Sequence, residues 1–230
     1  LCKNVLGETI PALAERDPDV IYLDADLMSC IGTAKWAQAN PDRAVNCGIA
    51  EANMVGVACG LASAGFKPIV HTFGPFASRR CYDQAFLSGA YARNDITIIG
   101  TDPGVTATMN GGTHMPFEDV ALYRAMPGAT VIDVTDPTLL VSVLGQCVDR
   151  PGVKFIRGGQ RVAHREGGYS AGGQRYCHFC RRDHGSRGYA GRKGSGGRGD
   201  QRGGDRYVHY QAPGRGGCGS LGEEMRRSAD

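Results

Sequence analysis

The sequence predicts an α/β domain built on a parallel six-stranded sheet with helices on both faces, followed from residue 158 by an Arg/Gly-rich tail. Three observations predict it. Short apolar runs alternate with helix-period segments between residues 20 and 156, the βαβα pattern of a parallel sheet. Most of these runs are apolar throughout, as strands covered on both faces require. After Arg157 the composition changes: Val162, Val208 and Leu221 are the whole complement of Ile, Leu and Val, while 20 of the 35 glycines and 13 arginines fall there. Such a segment cannot bury enough apolar surface to offset chain entropy, so 158–230 reads as disordered beside a folded domain at 1–157. The net charge of +3 comes from that tail.

Taken in order, residues 3–16 form an amphipathic helix with Val5, Ile10, Leu13 and Ala14 on one side, ending near Asp17-Pro18. Val20-Ile21-Tyr22-Leu23 is a short strand that leads into the acidic cluster Asp24-Ala25-Asp26, and a helix follows through Ala34 to Ala39. The alternation then repeats. Strands fall at 44–46, 68–72, 96–100, 130–134 and 153–156, with helices from 50, 76–92, 117–124 and 137–148 between them. Ligands bind outside the carboxyl ends of such strands. Those ends carry Asp24 and Asp26, then Glu51, then His71-Thr72-Phe73, then Thr101-Asp102 and a long loop to His114.

The helix from Ala50 is small and apolar on nearly every face through Val55-Gly56-Val57-Ala58-Cys59-Gly60-Leu61-Ala62, so it is expected to be buried all round. Glu51 in its first turn compensates the helix dipole in the plain reading. At the edge of a dry interior it also needs a partner or a raised pKa.

Gly48-Ile49-Ala50-Glu51-x-Asn53-Met54 resembles the pyrimidine-binding domain of the transketolase family, and the resemblance runs from Leu1 to Arg157. It implies that Glu51 hydrogen-bonds the aminopyrimidine of thiamine diphosphate and favours its imino tautomer. The cofactor then supplies the carbanion chemistry, while the protein supplies tautomer control and position. Thr72-Phe73-Gly74-Pro75-Phe76 resembles the family segment whose aromatics pack on that ring, which makes Phe73 and Phe76 cofactor-binding. Arg79 stands where many transketolases carry a third aromatic, and Arg80 is carried over as a substrate contact. Asn110-Gly111-Gly112-Thr113-His114-Met115-Pro116 resembles the family's Asp-Gly-x-Thr-His-Gln-Pro loop. By that likeness His114 handles protons and binds substrate, with Asn110 in place of the family acid. Asp26 matches a family aspartate near the cofactor, although helix N-capping serves it equally well. Ser29 is the nearest hydroxyl for substrate phosphate.

The family anchors Mg²⁺ and the diphosphate through a Gly-Asp-Gly motif in another domain, and this sequence has none. The resemblance therefore implies half an enzyme. Thiamine diphosphate and Mg²⁺ would be held mainly by a partner, the diphosphate-binding N-terminal subunit of a split transketolase, in a complex that dimerises and acts on sugar phosphates of the pentose phosphate pathway. A 1-deoxy-D-xylulose-5-phosphate synthase-like enzyme, using the same glutamate, is the alternative within the class. A non-catalytic remnant with an RNA-binding Arg/Gly tail is the alternative outside it, although the tail has no regular repeat and nucleic acid is not expected as a partner. Cys177-x-x-Cys180 is a single pair, too little for a zinc site.

Of nine cysteines, the six before the tail lack framework spacing, and with no apolar run of membrane-spanning length and no visible signal peptide a reduced, cytoplasmic setting is the expectation. The chain begins at Leu1, which suggests a truncated 5′ end. The tail reads as a frameshift. Codons taken one base later permit Gly-Ile-Met-Val-Ala across 182–186 and Asp-Met-Phe-Thr-Ile-Lys-Pro-Leu across 206–213, strings that resemble the start of the transketolase C-terminal domain.

Overall fold

The computed structural model describes residues 2–134, 136–158, 176–181 and 207–211. The chain runs α1 (Cys2–Arg16), β1 (Val20–Asp24), α2 (Met28–Ile31), α3 (Ala34–Ala39), β2 (Ala44–Asn46), α4 (Glu51–Ser63) and β3 (Lys67–Phe73). A nearly continuous helical stretch follows, with α5 (Tyr82–Gln84) between π-helical turns at Phe76–Arg80 and Ala85–Tyr91. Then come β4 (Ile96–Thr101), a 3-10 turn at Gly112–His114, α6 (Asp119–Ala125), β5 (Thr130–Val134), α7 (Pro137–Cys147), β6 (Val153–Gly158), β7 (Tyr176–Arg181) and β8 (Tyr207–Gln211).

The strands form one sheet in the order β2-β1-β3-β4-β6-β5-β7-β8, with the first six parallel. After β1 the chain goes to β2 on one side and returns to β3 on the other. The carboxyl ends of β1 and β3 therefore flank a topological switch point, where open α/β sheets place their ligands.

Strand periodicity sorts the core into two layers, because neighbours along a strand face opposite sides. Tyr22, Ile69, Ile99, Ile132 and Ile156 meet Leu6, Ile10, Leu140 and Leu144 of α1 and α7. Leu23, Val70, Ile98, Val131 and Phe155 meet Met54, Val55 and Ala58 of α4 and Tyr123 of α6. Tyr123 stacks on Phe155 with ring centroids 4.0 Å apart. Polar groups close the ends. Arg43 donates to the carbonyls of Ala14, Asp17 and Val20 after α1, and Asp136 caps α7 by accepting from the Leu139 amide, with Pro137 at the first helical position.

Two expectations change. The helix α4 is buried on one side only: Glu51, Met54, Val55, Ala58 and Cys59 are buried, while Asn53, Val57 and Gly60 are exposed. An added Cβ at Gly56 or Gly60 would meet nothing within 4 Å. The residues on both faces are small and apolar, so composition did not separate the packed face from the open one. The six-stranded parallel sheet forms as expected, and the second change is in the tail, two segments of which add strands to it. β7 pairs antiparallel with β5, and β8 with β7. Both segments carry aromatic residues, Tyr176 and Phe179 in the first and Tyr207 and Tyr210 in the second, a type enriched in strands, and β7 pairs with the backbone groups that β5 would otherwise leave open at the sheet edge. The expectations of disorder and of a shifted frame for the rest of 158–230 lie outside the described residues.

Candidate active site

Glu51 is the first residue of α4, and its side chain is 2% exposed. It has the partner that burial demands. One guanidinium nitrogen of Arg80, Nη1, donates to both carboxylate oxygens at 2.9 and 3.0 Å. Arg80 ends the first π-helical turn, and its guanidinium carbon lies 4.1 Å from the centre of the Phe76 ring. A cation over an aromatic face is attracted by the ring quadrupole. Phe76 thus links the carboxylate–guanidinium pair to the aromatic group beyond it. Beneath the pair lies Cys81, whose thiol is pushed up to about 12, mainly by burial, and so stays neutral.

Phe73, Phe76 and His114 form an edge-to-face cluster. Ring centroids are 6.3 Å apart for the two phenylalanines, 5.6 Å for Phe73–His114 and 5.0 Å for Phe76–His114. Gly74 makes this approach possible, since a Cβ there would stand 2.8 Å from Pro116 Cγ and 3.2 Å from the Thr101 carbonyl. The Phe73–Phe76 turn therefore lies directly on the loop that carries His114. Arg79 holds the same loop from outside, with Nε 2.9 Å from Glu118 and Nη2 donating to the Thr113 carbonyl. The Thr113 hydroxyl is 2.9 Å from His114 Nδ1. When that hydroxyl donates, the ring proton sits on Nε2, which is then the donor available to a ligand.

The structure brings Glu51, Arg80, Phe76, Phe73 and His114 into one chain of contacts. Asn110 stands apart, exposed in the turn before Gly111. Asp26 and Ser29 border a different cleft of about 290 Å³, lined also by Met28, Ala34, Ala37, Gln38, Ala44 and Asn46. Asn46 fixes Asp26 there: its side-chain oxygen accepts from the Asp26 and Gly48 amides, and its Nδ2 donates to the Asp26 carboxylate. Asp26 does not act as a helix cap, because α2 starts after Leu27 and has no side-chain cap.

Sequence reading missed the partnership of Arg80 with Glu51, the Thr113 contact and a buried network under the strand ends. In that network Asp24 accepts from Tyr22, from the Leu27 amide and from His71 Nδ1 at 2.8 Å. The other ring nitrogen of His71 is 3.2 Å from the Thr101 hydroxyl. The available signal was a set of polar residues, Asp24, His71 and Thr101, at the ends of otherwise apolar strands.

The family model described as "Transketolase, pyrimidine binding domain" matches residues 2–158. The 6-deoxy-6-sulfo-D-fructose transketolase subunit of Clostridium sp. (strain MSTE9) is 45% identical over 152 residues, covering 66% of this chain and 47% of that one. One of the subunits of the apulose-4-phosphate transketolase of Phocaeicola vulgatus is 30% identical over 159 residues, or 69% of this chain and 51% of that one. Among solved structures, a split-gene transketolase described as an inactive beta4 tetramer superposes with a TM-score of 0.61 at 32% identity, covering 69% of this chain and 50% of its own. The chain thus spans about half the length of the curated relatives it matches.

Proposed function

Because this chain belongs to the transketolase family through its pyrimidine-binding domain, we propose that it is the pyrimidine-domain component of a split, thiamine diphosphate-dependent transketolase. It works with a diphosphate-binding subunit, which holds Mg²⁺ and the diphosphate, and it transfers a two-carbon ketol unit between sugar phosphates, as in the pentose phosphate pathway. The observation that carries the reading is Glu51, a carboxylate buried at the start of α4 and joined through Arg80 and Phe76 to an aromatic pair.

These residues fit an aminopyrimidine. Both Glu51 oxygens share one donor nitrogen, so each keeps a lone-pair direction for a ring nitrogen. Phe73 and Phe76 offer apolar surface for a flat heterocycle. The Thr72 hydroxyl, one residue before Phe73, is buried without a hydrogen-bond partner among the described residues. Thiamine diphosphate, when bound, supplies the carbanion that takes up and hands on the two-carbon unit. Glu51 holds and exchanges a proton at the ring nitrogen, and the surrounding burial keeps water out. His114 Nε2 faces the substrate hydroxyls, and the unshared nitrogens of Arg80 supply positive charge for an anionic sugar. Asp26, Ser29 and Asn110 lie farther along the same strand-end edge, Asp26 on the cofactor side and Ser29 and Asn110 toward the substrate.

The open face of α4 supports the need for a partner, since Asn53, Gly56, Val57 and Gly60 leave a shallow surface on the helix that carries Glu51. Cys30, Cys47, Cys59 and Cys81 are thiols, which supports a cytoplasmic setting. Among the described residues no helix is long and apolar enough to cross a membrane.

Reconstitution tests the proposal. The purified chain with thiamine diphosphate, Mg²⁺ and sugar phosphates transfers no ketol unit, and addition of a diphosphate-binding transketolase subunit from the same genome restores transfer. Full activity from the chain alone, or none with any such subunit, contradicts it.

A further inference from the structure

Two segments that border the candidate site leave their strands through strained turns. Asp26, two residues past the last hydrogen-bonded pair of β1, has φ of 65°, and Asp102, just after β4, has φ of 54°. Positive φ is uncommon outside glycine and persists where surrounding contacts over-determine it. The first turn leads to Asp26 and Ser29, the second into the loop that carries Asn110 and His114.

Besides the Asn46 bonds to Asp26, one side chain has contacts that lead to both turns. Asp24 uses one carboxylate oxygen to accept from the Leu27 amide, closing the turn around Asp26. Its other oxygen meets His71 Nδ1 at 2.8 Å, on the neighbouring strand at the register Asp24↔His71. His71 Nε2 reaches the Thr101 hydroxyl at 3.2 Å on the next strand, and Thr101 directly precedes Asp102. All three groups are buried: Asp24 is 0%, His71 1% and Thr101 2% exposed. Parallel strands β1, β3 and β4 are thus cross-linked at their carboxyl ends by side chains as well as by the backbone ladder. A carboxylate buried this deeply also fixes the imidazole, since its acceptor demands a proton on Nδ1.

We propose that His71 is a positioning residue for substrate: through Asp24 and Thr101 it ties the Asp26–Ser29 turn to the start of the His114 loop and fixes their separation. It touches neither substrate nor cofactor. Glu51 and Arg80 use other contacts, so the tie acts on the segments that carry Asp26, Ser29, Asn110 and His114 and leaves the carboxylate–guanidinium pair in place. The identification of these segments as substrate-facing rests on the transketolase reading; the tie itself does not.

Two variants cut the tie at different points. Thr101→Val removes only the hydroxyl and keeps the volume. His71→Asn keeps a donor near the Nδ1 position and loses Nε2. In the full chain, amide hydrogen exchange across 102–118 speeds up about tenfold or more in both variants, while the Leu27 amide keeps its protection. In the complex with a diphosphate-binding subunit, KM for the donor sugar rises about tenfold, well beyond any change in kcat or in half-saturation by thiamine diphosphate. Unaltered exchange at 102–118 in both variants overturns the tie. Equal losses in donor and cofactor binding overturn the positioning role and leave a general packing defect. Should the complex show no transfer at all, the transketolase reading fails, and the exchange measurement still decides on the tie.

Discussion

Lys154 is a lysine in the wrong place for a charge, and replacing it yields a sharp test of the sheet. It lies on β6 between Thr97 of β4 and Thr130 of β5, is 1% exposed, and donates from Nζ to the Arg150 carbonyl at 2.7 Å. Burial, as the largest influence, lowers its pKa from 10.5 to about 8. The folded-state pKa is below the unfolded one, so between them the unfolded chain binds more protons and stability rises with pH. Below pH 8 both states are charged and the full penalty is present, about 3 kcal/mol for a shift of this size. Lys154→Met removes the penalty and forfeits a hydrogen bond worth about 1 kcal/mol, so the variant is more stable by about 2 kcal/mol at pH 7. Between pH 7 and 9.5 the advantage shrinks by about 2 kcal/mol, as the wild-type lysine becomes neutral in the folded state. Urea denaturation of both proteins across that range measures it, and the difference cancels the buried tyrosines and cysteines, which titrate alike in both. An advantage that does not change with pH refutes the burial of Lys154 and the register that produces it. Lys154 lies at the opposite end of the sheet from Glu51, so the candidate site is unaffected.

Arg80→Met leaves the Glu51 carboxylate buried without its cation. Arg80 is half exposed, so the destabilisation at pH 7 is about 1–2 kcal/mol, less than for a fully buried pair. It shrinks when Glu51→Gln is also present, and a double-mutant cycle by denaturation with additive losses contradicts the pairing. Gly74→Ala drives a methyl group into Pro116 and the Thr101 carbonyl, at a cost of about 1–3 kcal/mol. The same change moves the His114 loop off Phe73 and Phe76. His114 ring-proton shifts that stay at wild-type values in NMR spectra contradict that placement.

The parallel sheet was legible because its signal is local: Ile69/Val70, Ile98/Ile99 and Phe155/Ile156 are apolar neighbours that serve opposite faces. Helix α2 escaped notice because four residues carry no period. The open face of α4 escaped for a different reason: glycine and alanine look the same to composition whether packed or bare. In the site, Phe73, Phe76 and His114 could be joined only through family motifs, since no spacing rule connects positions about forty residues apart. Arg80 was read as a substrate contact, and its bond to Glu51 follows from how α4 and the π-helical turn pack, which no periodicity encodes. The Asp24–His71–Thr101 network needed the register of three strands, and only the polar character of those strand ends was visible beforehand.

If Glu51 activates the cofactor as proposed, exchange of the cofactor's thiazolium proton depends on its carboxylate. The measurement compares wild type with Glu51→Gln, each assembled with a diphosphate-binding subunit, thiamine diphosphate and Mg²⁺, and follows deuterium incorporation by NMR after rapid quench. Glutamine keeps the size and one hydrogen-bonding oxygen but cannot exchange a proton. Cofactor affinity then stays within about threefold of wild type, and proton exchange slows by about a hundredfold or more. Unchanged exchange in a fully assembled Glu51→Gln complex contradicts it.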